Sequence, residues 1–315
     1  MILNIWFSAF RYLCKVFKPA FLVLFGILIA GSGKAQQYGE YTQYMSNLTP
    51  LNSAASLLNR VGSVNSLYRA QYVGIQGAPN TFIFNGNIPL NNIASSTGLI
   101  IDNDNFAIEH QTVINAYFAK AVQLNSGDFL AVSINGGLQN YLADYASLAT
   151  TDPQFANNVR ETKGTVGFGI LYYTNNYYLG LSVPQLTFRS LGVGSAIDDA
   201  YFKNHYYFSG AYLFNNEDSG IGFKPAALVA YVSGAQTVAD ISGTIYFRHI
   251  LGIGVDYRTT SEMAGIISYN INNIRIGYSY QFNSSSSNLD GFSNAVHEIT
   301  LSYFFGKDDS ANKDL

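Results

Sequence analysis

Beyond residue 60 the chain repeats one pattern: apolar residues at every second position, with small or polar residues between them, in runs of about ten. Leu130, Val132, Ile134, Gly136 and Leu138 fall on one side of such a run, and Ala131, Ser133, Asn135, Gly137 and Gln139 on the other. Tyr177, Leu179, Leu181 and Val183 oppose Tyr178, Gly180, Ser182 and Pro184. The run from Ala239 to Arg248 and the run from Leu251 to Arg258 alternate in the same way, the first ending with Arg248 on its polar side. Ile274, Ile276, Tyr278, Tyr280 and Phe282 oppose Arg275, Gly277, Ser279 and Gln281. Ile299, Leu301, Tyr303 and Phe305 oppose Glu298, Thr300, Ser302 and Phe304. A period of two puts the two sets on opposite faces of a strand. About fourteen such runs lie between residues 62 and 305, the least regular near 94–101 and 108–122.

A soluble sandwich would carry Lys and Glu on its polar faces. Here those faces carry Gly, Ser, Asn and Gln with isolated charges, as suits the wet interior of a barrel whose apolar side meets lipid. Lipid tolerates no open sheet edge, so the sheet must close. The expected fold is all-β: a closed antiparallel transmembrane β-barrel of about 14 strands over residues 61–305, preceded by a non-strand N-terminal segment. Composition agrees. Charged residues are 12% of the chain, about half the usual share, while 24 Tyr and 22 Phe supply rings for interfacial girdles. Tyr172-Tyr173, Tyr177-Tyr178 and Tyr206-Tyr207 are candidates for that role. Turns are expected at Asp102 to Asn105, Thr174 to Asn176, Asn215 to Asp218 and Asn272-Asn273. Longer connections run from Tyr145 to Lys163, Arg189 to Asn204 and Asn283 to Ala295; such loops belong on the outer side.

The chain's one long apolar run, Ala20 to Ala30, follows Arg11, Lys15 and Lys18 and precedes Gly33-Lys34-Ala35. Basic, apolar and small-residue regions in that order describe a secretory signal peptide over 1–35, with Gln36 as the mature N-terminus. Its removal leaves thirteen basic against twenty acidic residues, a net charge near −7, which disfavours nucleic acid as a partner. It also removes Cys14, the one cysteine. No later segment holds 18 consecutive apolar residues, so helical spans are excluded. Residues 36–60 lack sustained alternation and are long enough to plug the lumen or to lie on the periplasmic rim. Residues 306–315 form a polar tail.

Little points to catalysis. His110, His205, His249 and His297 are scattered, and His297 beside Glu298 faces the opposite side of its strand. Asp102 to Asn105 opens like a calcium loop, but Phe106 stands where an oxygen ligand is needed, so a hairpin turn is the expectation. Gly164, Gly167 and Gly169 lie within a strand and make no phosphate loop. No catalytic residue, metal or cofactor is expected. Arg69 shares a face with Ser63, Asn65 and Gln71, which puts its charge in the lumen opposite a carboxylate such as Glu40 or Asp256.

Four stretches resemble the PorP/SprF family of outer-membrane proteins associated with type IX secretion. Gln43-Tyr44-Met45-Ser46-Asn47 followed by Asn52-Ser53-Ala54 is similar to Q-Y-M-x-N…N-P-A, with Ser53 in place of the proline. Tyr68-Arg69-Ala70-Gln71-Tyr72-Val73-Gly74, running into Gly77-Ala78-Pro79, is similar to Y-R-x-Q-W-x-G…G-A-P, with Tyr72 in place of the tryptophan. Asp152-Pro153-Gln154-Phe155-Ala156-Asn157 resembles the D-P-x-F-A-N loop, and Tyr177 to Pro184 the strand after it. The resemblance implies an outer-membrane barrel that assists export or surface attachment of a large cargo protein, gliding adhesins included, and that is linked to periplasmic type IX secretion components. It marks Gln43, Tyr44, Asn47, Asn52, Tyr68, Arg69, Gln71, Gly74, Gly77, Pro79, Asp152 and Pro153 as candidate partner-binding or structural residues. Expected partners are outer-membrane lipid, secretion components and the cargo. The alternative is a small-solute or hydrophobic-compound transporter or porin with 36–60 as its plug.

Overall fold

The computed structural model describes residues 41–148, 157–187, 204–216, 220–283 and 295–306. The strands are β1 (Gly62–Gln71), β2 (Asn80–Leu90), β3 (Ser95–Phe106), β4 (Glu109–Asn125), β5 (Asp128–Ala143), β6 (Val159–Tyr173), β7 (Tyr177–Thr187), β8 (His205–Tyr212), β9 (Phe214–Asn216), β10 (Ile221–Val232), β11 (Val238–Phe247), β12 (Leu251–Arg258), β13 (Glu262–Ile271), β14 (Ile274–Asn283) and β15 (Val296–Phe305). Apart from β8 and β9, each pairs antiparallel with its sequence neighbour. The short β9 follows β8 across Leu213, and both pair with β10, so the two act as one strand. β15 returns to pair with β1, from Gly62 opposite Phe305 to Gln71 opposite Val296. The result is a closed 14-strand antiparallel barrel.

The alternation falls as the hydrophobic pattern requires. Ile241, Val255, Leu138 and Leu181 point outward and are about 60% exposed, whereas the inward Asn85, Ser279 and Glu298 are fully covered. Apolar residues outside and carboxamides and hydroxyls inside are the arrangement lipid imposes on a barrel. No described helix is long and apolar enough to cross a membrane.

Among the described residues, one mouth carries the short turns 91–94, 126–127, 174–176, 248–250 and 272–273. Links at the other mouth include 72–79 and the short 107–108 and 259–261, and the chain also joins strand ends there through 144–158, 188–204 and 284–295, each partly outside the described residues. Short turns mark the periplasmic side and long loops the outside.

Four sequence expectations about the strands are corrected. Asp102 to Asn105 form no turn; they continue β3, and the chain reverses at Ala107, whose φ is 53°. The strand persists because Asp102 and Asp104 face the polar lumen, while Asn103 and Asn105 face out with side-chain partners on neighbouring strands. Polar residues on both faces leave no hydrophobic alternation to read. Likewise Asn215 and Asn216 belong to β9, and Lys163 lies inside β6. Arg248 is no strand residue: β11 stops at Phe247, and Arg248 takes a φ of 51° in the turn. The stretch from Asp152 to Ala156, Ser284 to Ser287, the tail from Lys307 and residues 1–40 lie outside the described residues.

Candidate functional site: a lumenal plug

Residues 41–57 run through the barrel interior. Two short 3-10 turns, Thr42–Met45 and Ser53–Leu57, break the segment into a compact path. Asn52 starts the second turn by accepting a hydrogen bond from Ala54 N at 3.1 Å. Tyr41, Gln43, Tyr44, Asn52 and Ala54 are all at least 99% covered. Burial pushes the hydroxyls of Tyr41 and Tyr44 well above the usual tyrosine value, so both remain neutral. Tyr41 uses its hydroxyl to close the path on itself, donating to Asn47 O at 2.5 Å.

The plug touches the wall on all sides. At its beginning, the Glu298 carboxylate accepts from Thr42 N through Oε1 (2.8 Å) and Oε2 (3.0 Å), from Gln43 N (3.2 Å) and from Ser279 Oγ (3.2 Å). Arg69 Nε lies 3.6 Å from Glu298 Oε1, the two residues standing directly opposite across β1 and β15. A fully covered carboxylate is thus compensated by backbone donors and a guanidinium, the condition for keeping a charge in such a place. Gln43 donates to Glu298 O at 3.3 Å and accepts from Thr300 Oγ1 at 2.9 Å. It rests on Gly277, where a Cβ would come within 2.3 Å of its Oε1.

Thr42 Oγ1 donates to Gln281 Oε1 (3.0 Å), and Gln281 Nε2 donates to Glu262 Oε2 (2.6 Å). Glu262 also receives Arg258 Nη1 at 3.2 Å, while Arg258 grips Asp240 through Nε (2.7 Å) and Nη2 (3.1 Å). One chain of polar contacts therefore joins the plug to β11, β12, β13, β14 and β15.

Further along, Tyr44 Oη lies 3.2 Å from Ser242 Oγ, Lys224 Nζ donates to Met45 O at 2.8 Å, and Asn47 Nδ2 donates to Asn85 Oδ1 at 2.6 Å. Asn52 reaches Ile170 O (3.1 Å) and Leu181 O (3.4 Å), and Ser182 Oγ donates to Leu51 O at 2.7 Å. Asn52 fits there because Gly169 and Gly180 form its socket: a Cβ on either would approach its carboxamide within 2.2 Å or 2.9 Å. Near the periplasmic mouth Arg60 lies over the Phe129 ring at 4.5 Å. A polar cleft between plug and wall opens there, lined by residues that include Asn47, Asn59, Asn65, Asn87 and Phe304.

The structure gathers Gln43, Tyr44, Asn47, Asn52 and Arg69 around this path. It keeps Tyr68, Gln71, Gly74, Gly77 and Pro79 out of it. Tyr68 faces outward, Gln71 N donates to Pro79 O at the end of β1, and Gly74 and Gly77 shape the following connection with φ of 101° and 77°. Asp152 and Pro153 lie outside the described residues. Among the described residues the carboxylate that Arg69 meets is Glu298, not Asp256, because the cross-strand register sets the two opposite each other; Glu40 lies outside the described residues. Glu298, Lys224 and the Asp240–Arg258 pair escaped the sequence reading. Their one signal was a lone charge at an inward position of a strand. Among the described residues no group of three His, Cys, Asp or Glu could hold a metal ion.

A closed, outward-apolar barrel with a hydrogen-bonded interior segment defines a plugged outer-membrane protein. The chain matches the family described as type IX secretion system membrane protein PorP/SprF over residues 33–303, and it belongs to that family. Comparison with curated proteins finds no match. Among solved structures it is similar to a ΔS2S3 mutant of the TodX monoaromatic hydrocarbon channel (12% identity, 82% of this chain and 94% of that one, TM-score 0.50). The Pseudomonas putida toluene transporter TodX gives 11% identity, 86% and 95% coverage and a TM-score of 0.47. The Acinetobacter baumannii outer membrane protein Omp33 gives 9%, 79% and 99%, and 0.46. Likeness at these identities speaks to the fold alone.

Proposed function

We propose that this outer-membrane barrel is an accessory of type IX secretion that assists export or surface attachment of a partner protein, a gliding adhesin being one candidate client. The observation that supports it best is the plug. A lumen crossed by residues 41–57 and tied to the wall on opposite sides is no free conduit for solute. A barrel of this kind acts through its rims, and binding specificity belongs to loops held on a rigid scaffold. The long outer connections would meet the cargo. The polar cleft beside the plug would meet the periplasmic machinery. In this reading residues 1–35 are removed on export and the chain has no catalytic role.

Co-purification of the tagged protein from native membranes in mild detergent is the test. Recovery of a type IX component or a large surface protein with the barrel is the expected result. Recovery of neither contradicts the proposal.

A further inference from the structure

We propose that the outward face of β3 to β6, where it rises past the hydrocarbon band, is a docking surface for the sugar headgroups of outer-leaflet glycolipid. It rests on the outer-membrane placement and is independent of any cargo role.

The argument begins with strand length. A tilted span needs about 9–11 residues. β4, β5 and β6 hold 17, 16 and 15, and β3 holds 12. The surplus toward the outside changes character in register. The row Ile101–Ile114–Leu138–Gly164 is the last outward row without a polar side chain. The next outward row is Asn103–Thr112–Asn140–Thr162, polar on all four strands. The row beyond contains Asn105, His110 and Arg160, with Leu142 between the last two.

At the rise of a strand tilted in a barrel, these rows stand about 5 Å and 10 Å above the last apolar one. The headgroup zone on each side of the hydrocarbon is about that deep. The side chains therefore meet headgroups of the same leaflet whose acyl chains cover the row below. In an outer membrane those headgroups are sugars.

The chemistry fits. Carboxamides and hydroxyls offer donors and acceptors together, which is what a sugar hydroxyl requires. They are held in place across the strands: Asn103 Nδ2 donates to Thr112 Oγ1 and Asn140 Nδ2 to Thr162 Oγ1, both at 2.8 Å. Asn105 Nδ2 donates to Asn103 Oδ1 at 2.8 Å, and His110 Nδ1 lies 2.6 Å from Asn105 Oδ1. His110, Arg160 and Thr162 are exposed. Among the described residues the opposite wall has no such ladder. Its outward residues near the same mouth are Tyr257, Met263 and Phe282, all more than 40% exposed.

The experiment measures glycolipid retained by the purified, detergent-washed protein by native mass spectrometry. The probes are lipopolysaccharide bearing its core sugars and free lipid A, which lacks them. The wild type should hold the sugar-bearing form about tenfold better, the worth of one or two hydrogen bonds. A variant combining Asn103→Ala, Thr112→Ala, Asn140→Ala and Thr162→Ala should hold both alike while keeping the heat-modifiable gel mobility of a folded barrel. Equal retention of the two forms by the wild type overturns the proposal, as does a folded variant that discriminates like the wild type. Should that variant fail to fold, His110→Gln with Arg160→Gln is the substitute, and unchanged retention overturns the proposal equally. Released core oligosaccharide that binds as tightly as the lipid-borne form would also overturn it, because the site would then read a soluble glycan.

Discussion

Glu298 is the residue on which the interior depends most. Its carboxylate is fully covered and collects two plug N–H groups, a serine hydroxyl and the Arg69 guanidinium. Glu298→Gln keeps the shape but removes the charge those donors converge on, and it adds donors of its own. A loss of about 2–3 kcal/mol is expected, the worth of charge-assisted bonds in a dry site. Heat-modifiable gel mobility in a temperature series reads it. Arg69→Ala should destabilise more than Tyr278→Ala, since the first leaves a buried carboxylate short of its cation and the second trims a ring on the outer surface. Equal effects would contradict the inward placement of Arg69. Gly169→Val is a different perturbation. The added carbon falls 2.2 Å from Asn52 Oδ1, so the plug must leave its socket while the wall stays paired. The expected sign is faster proteolytic cleavage between residues 41 and 57 with the barrel band intact.

At the scale of the strand, one rule sorts substitutions. Ile267 is outward near the middle of β13, and Ile267→Arg should cost about 2–4 kcal/mol, as a charge at the bilayer midplane does. Ser242 is inward on β11, and Ser242→Ala should cost about 1 kcal/mol, one hydrogen bond to Tyr44. Unfolding in urea from lipid vesicles separates the two. This rule was legible from period two alone, because in a lipid-facing strand the outward residue has no alternative to being apolar. Runs such as 274–282 and 299–305 could be assigned to a face without a structure. The rule fails where lipid ends. Asp102 to Asn105 looked like a turn because both faces of β3 are polar there, one turned to the lumen and the other to the outer surface. The plug was legible as a segment without alternation, but its anchors were not. Gln43 and Asn52 find their sites through Gly277, Gly169 and Gly180, and a glycine in a strand does not announce which side chain it admits. Nor could the sequence choose Glu298 for Arg69, since that choice depends on pairing the last strand with the first.

The described barrel closes on itself and holds residues 41–57 in its interior. Among the described residues closure leaves no edge for a partner strand, and residues 41–57 occupy the lumen, so in the proposed reading contact with other proteins falls to the two mouths. The anchors lie on β2, β6, β7, β10, β11, β14 and β15, so the plug cannot leave by loosening one side. Single substitutions at those anchors should produce brief openings, whereas removal of residues 41–57 should produce a lasting one. Conductance of the pure protein in a planar bilayer tests this most directly. The full chain should be electrically silent and the deletion should carry steady current. A full chain that conducts steadily, with no change on deleting 41–57, would contradict the plugged barrel.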